Sequence, residues 1–341
     1  WAAATPEGGY ELAHTLQCAA GDAPAGNAAL EASGTVYALL VLTGSVGPYL
    51  LAAIGDGSVQ LWHRLDDTTD APNEVWPTTS GGHAAHAGWH CIHKCDVHSG
   101  GVLCLAESDG FIYAGAADCA ISKLQLSPGT SSSQPTSSSA TPRLTLVRTV
   151  AAAHQAEVHA IAIHERDNLV SAGADGAIRV WSLPLLQPLY SLRAAGRAGE
   201  AISHDGAIYA LLTVAAVPRS SNDDDATPAR IFSASADTLI KVWDLGTMDQ
   251  LACLAGHQSF VCALCVASGC LYSASSDKTL GVWSLATYAR LRVLTGHRGG
   301  LYSLTVREGR ACSGSLDGTI RVWTSAADHD EDARGGEAVI D

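Results

Sequence analysis

The chain has 341 residues, with 34 acidic against 20 basic side chains and a formal net charge of −14 at pH 7. This length suffices for one large all-β domain that buries its core between stacked sheets. The acidic balance argues against binding to a nucleic-acid backbone, because such binding requires a positive surface that releases counterions. Nucleic acid is therefore not an expected partner.

The first long apolar segment, residues 36–55, is long enough to cross a bilayer. Glycine and proline residues between positions 43 and 48 interrupt it, however. The pattern therefore predicts two strands joined by a hairpin turn, and no membrane is expected as a partner.

The segment WHCIHKCDVH at 89–98 is rich in potential metal ligands. Cys91, His93 and Cys95 alternate and would share one face of a strand, and three such ligands are enough to begin a zinc site. The same segment falls where the closing strand of the second repeat unit belongs, and His98 belongs to a repeated column described below. We expect a Cys/His-rich strand at a sheet edge, with no metal and no cofactor, and keep zinc as the alternative.

An Asp followed six residues later by a Trp recurs along the chain. The last three of these Trp residues, at 243, 283 and 323, are 40 residues apart, and the longer earlier intervals contain insertions. A period of about 40–45 residues is typical of the four-stranded units of a β-propeller. The copies are Asp56/Trp62, Asp175/Trp181, Asp237/Trp243, Asp277/Trp283 and Asp317/Trp323, with Asp118/Leu124 as a degenerate copy.

Two further columns come into register when the copies are aligned on the Asp. A His precedes the Asp by 20 or 21 residues in most copies, and a Ser precedes it by four. A carboxylate at a tight turn can accept a hydrogen bond from the imidazole, which then meets the strand hydroxyl and the indole N–H, so the buried polar groups satisfy one another. The first two repeats lack complete sets, since Ala32, Ala52 and Ala114 replace the His or the Ser, and these repeats are expected to be softer. The four complete sets are His154/Ser171/Asp175/Trp181, His204/Ser233/Asp237/Trp243, His257/Ser273/Asp277/Trp283 and His297/Ser313/Asp317/Trp323.

His, Ser and Asp are also the residue types of a hydrolytic triad. A catalytic site occurs once in a chain, whereas this set occurs four times at a fixed arrangement. We therefore expect a structural role for these residues and no enzymatic activity.

The three columns resemble the WD40 family over roughly residues 10 to 324. The resemblance implies an all-β propeller of four-stranded antiparallel blades, with six repeats visible. Six and seven blades both stay open, because Trp1 lies as far before Trp62 as the inserted repeats lie from one another. The segment YELAHTL at 10–16 is expected to be an extra outer strand that pairs with residues 301–323, as the terminal latch of the family does.

Insertions interrupt the period at about 66–88, 127–142 and 217–229. The second is a Ser/Thr/Pro tract that cannot bury a core and is expected to be a mobile surface loop. The acidic residues 325–341 are expected to form a disordered tail, which leaves residues 1–324 as the propeller domain.

The resemblance also implies a binding surface. In the family, the top rim of the propeller is lined by the residues three and five positions after the repeat His and by the residue before the repeat Asp. In this chain the rim is aromatic and nearly uncharged, and aromatic side chains are typical anchors of protein interfaces. Without Arg or Lys, the rim is unsuited to a phosphopeptide. The alternative is that its tyrosines pack within the channel mouth.

The rim positions are Thr35, Tyr37 and Gly55; Gly101, Leu103 and Ala117; Glu157, His159 and Ala174; Ala207, Tyr209 and Ala236; Phe260, Cys262 and Ser276; Gly300, Tyr302 and Leu316. The expected partner-binding residues among them are Tyr37, Leu103, Glu157, His159, Tyr209, Phe260, Tyr302 and Leu316.

The C-terminal half, with RIFSASADTLIKVWDL and CLYSASSDKTLGVWSL, is most similar to the propellers of RING/TRAF-type ubiquitin ligases and of myosin heavy chain kinases. This similarity implies a non-catalytic scaffold that binds a partner peptide or domain over the rim, as the substrate-recruiting arm of a larger protein. RING cysteines and kinase motifs do not occur in these residues. The alternative is a structural subunit of a large cytoskeletal or ciliary assembly, contacted through blade edges and inserted loops.

The expected partners are other proteins within a multiprotein complex. The ten Cys lie mostly in or beside predicted strands, where a free thiol acts as a small apolar side chain. Free thiols fit a reducing compartment, so a cytoplasmic location is expected, at the cytoskeleton under the second alternative.

Overall fold

A computed structural model describes residues 2–4, 10–12, 35–44, 47–65, 88–127, 142–164, 167–192, 203–215, 229–307, 309–324 and 339–340. Every regular element in these ranges is a β-strand. Within them, no helix has the length and apolar character needed to span a membrane.

The chain divides into two compact units, which comprise residues 1–118 with 122–149 and residues 119–121 with 150–341. The first unit holds a two-stranded pair and, apart from the end residues of β9 and β10, two four-stranded antiparallel sheets. The pair is β1 (Ala2–Ala4) and β2 (Tyr10–Leu12). The first sheet is β3 (Val36–Gly44), β4 (Gly47–Ile54), β5 (Ser58–Leu65) and β6 (Gly88–Asp96), and the second is β7 (Val102–Ser108), β8 (Phe111–Ala116), β9 (Ile121–Ser127) and β10 (Arg143–Val150).

The second unit holds four more four-stranded sheets, each a meander of neighbouring antiparallel strands. The third sheet is β11 (Val158–His164), β12 (Asn168–Gly173), β13 (Ile178–Ser182) and β14 (Gln187–Leu192), and the fourth is β15 (Ile208–Val214), β16 (Arg230–Ser235), β17 (Ile240–Asp244) and β18 (Gln250–Leu254). The fifth is β19 (Val261–Ala267), β20 (Cys270–Ser275), β21 (Thr279–Ser284) and β22 (Arg290–Thr295), and the sixth is β23 (Leu301–Arg307), β24 (Arg310–Ser315), β25 (Ile320–Trp323) and β26 (Val339–Ile340).

In the second unit the apolar core lies between neighbouring sheets, because the middle strands of the third, fourth and fifth sheets are largely buried, whereas β24 and β25 of the sixth sheet are partly exposed. In the fourth sheet, for example, all five residues of β17 are buried. Phe232 and Val242 of this sheet pack with Val261 and Leu271 of the fifth, and all four are buried. β17 is thus buried over its whole length although it contains the charged residues Lys241 and Asp244.

The predicted hairpin at 36–55 is confirmed, since β3 pairs with β4 and Gly44 lies opposite Gly47. The placement of the Cys/His-rich strand in the second repeat is wrong. This segment forms β6, which pairs with β5 and places Cys95 opposite Val59, so it is the outer strand of the first sheet. The insertion near 66–88 therefore lies between the third and fourth strands of one sheet.

The expected latch strand is also wrong. β2 pairs with β1, where Leu12 lies opposite Ala2. The fourth strand of the sixth sheet is instead β26, where Ile340 lies opposite Ile320. Val339 and Ile340 are β-branched and suit a sheet better than the charged and small residues around them. The remainder of the expected tail and residues 13–16 lie outside the described residues, and so do most of the three insertions.

The repeat Asp closes the turn between the second and third strands of each described four-stranded sheet. In the third sheet, Asp175 Oδ1 accepts the backbone N–H of Ala177 at 3.1 Å, and Gly176 has a left-handed φ of 68°. Asp175 Oδ2 also accepts the N–H of Gln155, which follows the repeat His, at 3.0 Å. One carboxylate thus holds two loops together at the same end of the sheet.

The four complete sets form the hydrogen bonds expected from the sequence. In the third sheet, His154 Nδ1 lies 2.9 Å from Asp175, and Trp181 Nε1 donates to Ser171 Oγ at 2.8 Å. Because a carboxylate only accepts, Nδ1 carries the proton, so Nε2 accepts from the Ser171 hydroxyl at 2.7 Å. The corresponding three distances are 2.7, 2.9 and 2.7 Å in the fourth sheet, 2.8, 2.8 and 2.7 Å in the fifth, and 2.9, 2.9 and 2.8 Å in the sixth.

Trp243, the repeat Trp of the fourth sheet, is wholly buried, with 0% of its area exposed. Its indole N–H donates to Ser233 Oγ at 2.9 Å, and its ring lies edge-on to the His204 ring. The rest of the ring packs in one apolar cluster with Val180 and Leu192 of the third sheet. Trp243 is therefore a core residue that joins two sheets, in addition to its hydrogen bond within its own sheet.

Of the three side-chain hydrogen bonds of a complete set, the second sheet keeps the one between His98 Nδ1 and Asp118, at 3.0 Å. Ala114 and Leu124 occupy the Ser and Trp positions, and His98 Nε2 is buried without a hydrogen-bond partner. A buried polar group in this state costs about 1–3 kcal/mol. The missing hydroxyl therefore weakens this sheet.

The first sheet replaces the His with a lysine from its outer strand. Lys94 Nζ donates to Asp56 Oδ2 at 2.8 Å. Ala52 supplies no hydroxyl, and Trp62 Nε1 and both polar side-chain atoms of Gln60 are buried without a partner. The sequence pattern did not reveal this use of Lys94, because it comes from a strand beyond an insertion.

We expect opposite effects on stability from removing and from adding the hydroxyl of the repeat Ser. Ser273→Ala leaves Trp283 Nε1 and His257 Nε2 unpaired and should lower the free energy of unfolding by about 2–4 kcal/mol. Ala114→Ser gives His98 Nε2 a donor and should raise it by about 1 kcal/mol. Urea unfolding followed by tryptophan fluorescence measures both, and a destabilising Ala114→Ser would contradict the account of the second sheet.

Stability should also fall as the pH drops below about 6.5. Burial lowers the pKa of His154 and of His204 and outweighs the bonds to their Asp partners, so the unfolded chain takes up protons first. For Asp237, burial raises the pKa, but bonds from His204 and two backbone N–H groups outweigh it and lower the pKa below 3.8. This second contribution is lost only below about pH 4. Urea midpoints measured from about pH 7.5 to about pH 3 should decline first below about pH 6.5 and again below about pH 4, and a constant midpoint above about pH 5 would exclude the histidine contribution.

Candidate interaction surface

The first strand of each described four-stranded sheet carries a β-bulge at the second rim position. In β11, Val158 pairs with Gly173 and Ala160 with Ala172, so His159 is the extra residue. A bulge bends the strand and redirects the side chain of the extra residue. The equivalent extra residues are Tyr37, Leu103, Tyr209, Cys262 and Tyr302. The bulges result from the register between the first and second strands of each sheet, and the repeated sequence columns did not predict them.

The other two rim positions of each sheet are joined through the backbone. The N–H of Ala174 donates to the carbonyl of Glu157 at 2.9 Å, and the equivalent bond in the other five sheets is 2.8–2.9 Å long. The rim residue before the repeat Asp is therefore fixed to the loop that follows the repeat His. Each sheet presents its three rim positions as one rigid group.

The rim groups of the second unit contact one another from sheet to sheet. The ring centroids of His159 and Tyr209 are 5.3 Å apart, and those of Tyr209 and Phe260 are 6.1 Å apart, with tilted planes. Ser276 Oγ donates to Tyr302 Oη at 3.2 Å. Four neighbouring sheets thus contribute to one surface, called the second-unit rim below and consisting of Glu157, His159, Tyr209, Phe260, Ser276, Tyr302 and Leu316.

Much of the second-unit rim is open to solvent. The exposed fractions of Phe260, Tyr302 and Leu316 are 47%, 51% and 74%. Tyr209 lies half-buried between the rings of His159 and Phe260. The alternative that the rim tyrosines have a packing role therefore suits Tyr209 better than Tyr302. Exposed aromatic and apolar side chains on a rigid support are a surface on which a partner can bury area at low entropic cost.

The titratable side chains at the rim positions of the second unit are one carboxylate and several groups that are uncharged at pH 7. Burial first, and then the nearby Cys262, Tyr302 and Glu157, raise the pKa of Tyr209. Burial lowers the pKa of His159 below 6.5 although Glu157 opposes it, so the imidazole is neutral at pH 7. Glu157 is thus the charged side chain at the rim positions of the second unit, with Oε2 3.7 Å from His159 Nε2.

The rim positions of the first unit form a smaller group. Tyr37 is exposed and Leu103 is half-buried. Gly101 lies so close to the first sheet that a Cβ there would be 3.1 Å from the Gly55 carbonyl oxygen and 3.4 Å from the Tyr37 ring. A side chain at Gly101 would therefore separate the two rim groups of this unit.

The repeated His, Ser and Asp do not form a hydrolytic site in this structure. The hydroxyls of Ser171, Ser233, Ser273 and Ser313 belong to residues with no exposed area. Each Ser Oγ also accepts a hydrogen bond from a Trp indole. A nucleophile must reach its substrate, and these hydroxyls are closed off within the sheets.

Three repeat Trp residues of the second unit are likewise too deeply buried to belong to a binding surface. Trp243 has no exposed area, and Trp181 and Trp283 expose only 3% and 2% of theirs. Aromatic side chains serve as interface anchors only where a partner can cover them. Trp181, Trp243 and Trp283 are therefore closed to a partner, whereas Trp323 on β25 is half-buried.

The zinc alternative gains no support from the described residues, where no three His, Cys, Asp or Glu side chains are placed to hold a metal ion. Cys91 is exposed on the outer strand of the first sheet. His93 Nδ1 instead accepts the backbone N–H of Leu144 at 3.3 Å, and this bond ties the first sheet to β10 of the second.

Three segments of the chain match the family described as WD domain, G-beta repeat, at residues 144–182, 248–284 and 289–324. Each segment ends one residue after a repeat Trp, namely those of the third, fifth and sixth sheets. The chain carries WD40 repeats. The resemblance drawn from the His, Ser and Asp–Trp columns is confirmed, and the fold class is that of a WD40 β-propeller. WD40 repeats generally mediate protein–protein interaction or scaffolding, and their fold is typically non-catalytic.

Solved structures support the fold alone. The computationally designed Ika8 protein is 23% identical, with a TM-score of 0.56, and the match covers 86% of this chain and 72% of that one. No curated protein matches the chain significantly. The likeness of the WD40 repeats to those of ubiquitin ligases and myosin heavy chain kinases stays a prediction.

Proposed function

We propose that this chain is a non-catalytic scaffold that binds a partner peptide or domain over the second-unit rim. The observation that carries the proposal is the contact run from His159 through Tyr209 to Phe260, continued in the next sheet by Tyr302. Aromatic side chains of this kind dominate interface energies, because they bury a large area and lose few rotamers.

The support beneath the rim strengthens this proposal. All four sheets that contribute rim residues carry a complete set of His, Ser, Asp and Trp hydrogen bonds. The rim groups are therefore held in place before a partner arrives, which reduces the entropy lost on binding. As part of the same proposal, the scaffold is the substrate-recruiting arm of a larger protein and works in a cytoplasmic multiprotein complex, without nucleic acid or membrane.

A second candidate function rests on the outer strands. In the second unit, these strands expose Leu189 and Tyr190 on β14, Leu251 on β18, and Leu291 and Val293 on β22. An exposed edge strand offers unpaired backbone groups to another chain. A structural subunit of a cytoskeletal or ciliary assembly would bind through such edges rather than through the rim.

The two candidates predict opposite results in a partner capture from native extract. Tyr209→Ala, Phe260→Ala and Tyr302→Ala together should remove partners that a matched edge variant keeps, because the rim loses its aromatic anchors. The edge variant carries Leu251→Ala, Leu291→Ala and Val293→Ala, which are also exposed apolar residues.

Circular dichroism and the urea midpoint first establish that both variants are folded. Bound proteins are then quantified by mass spectrometry. Partners lost only with the edge variant would overturn the rim proposal and favour the assembly subunit.

A further inference from the structure

We propose that the second-unit rim binds a basic segment of its protein partner and places a lysine or arginine side chain against the rings of His159, Tyr209 and Phe260, beside Glu157. This inference rests on the proposed function and adds the chemistry of the partner. The geometry that carries it is a run of three aromatic rings ending at a carboxylate.

Aromatic rings attract cations through the negative potential of their faces, within about 6 Å of the ring centroid. The three rings here are tilted by about 40° to one another, at 42° and 41°. Tilted neighbours 5.3 and 6.1 Å apart leave part of each ring uncovered, and Phe260 is the most exposed of them. A flat or fully stacked set would offer less surface to an incoming side chain.

The cations of this chain that stack on rings do so elsewhere in the described residues. Lys123 lies over Phe111 and Tyr113, Arg230 over Tyr288, and Arg290 over Trp283. Arg and Lys are missing from the rim positions themselves. Among the described residues, no cation of the chain stacks on the rim rings, whereas cations do stack on several other aromatic side chains.

Charge complementarity points to the same partner. Glu157 is exposed and adjoins the ring of His159, which is neutral at pH 7 because burial lowers its pKa. The neighbouring loops contain two basic residues. Lys278 directly follows the repeat Asp of the fifth sheet and Arg298 the repeat His of the sixth, so both belong to other sheets than Glu157, which is part of the third. The chain as a whole carries −14, so approach of a basic segment is favoured at low salt.

The occupant must also match the apolar character of the rings. Lys and Arg bury their methylene stems against apolar surface while the charged end stays near water or a carboxylate. An acidic or phosphorylated segment would meet Glu157 with like charge. A purely apolar segment would cover Glu157 without a partner for its carboxylate, at the cost of desolvating it.

The test uses the full chain and synthetic probes. Arrays of peptides about twelve residues long, with otherwise neutral random sequence, carry lysine, arginine or norleucine at two central positions; norleucine keeps the stem of lysine without its charge. Selected peptides are labelled, and their affinities are measured by fluorescence anisotropy. We expect lysine and arginine peptides to bind about three- to tenfold more tightly than their norleucine counterparts.

Two variants locate the effect. Glu157→Gln removes the charge and Phe260→Leu removes an exposed ring while keeping an apolar side chain, and each should reduce the preference for the cationic peptides to about twofold or less. Asp249→Asn is the matched control, because it removes one exposed carboxylate from the turn between β17 and β18 and should leave the preference unchanged.

Equal binding of lysine and norleucine peptides would overturn the cationic subsite and leave the rim as a docking surface. A cationic preference that survives both rim variants would also overturn it, since the charge would then be recognised elsewhere. Absence of binding up to about 1 mM by every peptide would count against the subsite as well. The partner capture with the rim and edge variants then judges the proposed function separately.

Discussion

The repeat Asp is the residue on which the rest of each complete sheet depends. In the third sheet, Asp175 accepts hydrogen bonds from the His154 ring, from two backbone N–H groups and from Arg179. It is almost entirely buried, so each of these donors replaces water that the carboxylate has lost. One charged group thereby joins a loop, a turn and a strand at the end of the sheet where the rim residues lie.

The rim inherits its rigidity from this arrangement. Glu157 and His159 follow the loop that the carboxylate holds, and Ala174 directly precedes Asp175 and is bonded to Glu157. The bulge at His159 then turns its side chain away from the regular strand pattern. The rim and the set of four hydrogen-bonded residues are therefore parts of one structure. The rim residues differ from sheet to sheet, whereas the hydrogen-bonded set is the same in all four sheets of the second unit.

The two units differ in how completely they use this arrangement. The second unit repeats it in all four of its described sheets, whereas the first unit leaves His98 Nε2 and Trp62 Nε1 buried without partners. An unpaired buried group at a repeat position lowers the stability of its sheet, so the sheets with complete sets are the more suitable support for a binding surface. The aromatic run is found on those sheets, where His159, Tyr209 and Phe260 meet.

The sequence alone determined the strand pattern of the repeats and the four hydrogen-bonded sets, because each depends on residue types in a fixed order within one repeat. Partners from distant segments were decided only by the tertiary structure. Lys94 reaches Asp56 from beyond an insertion, Trp243 packs against the third sheet, and β26 completes the sixth sheet in place of the segment 10–16. The bulges and the contacts between rings of different sheets were likewise decided by the tertiary structure. They depend on strand register and on the spacing of sheets rather than on the local sequence pattern.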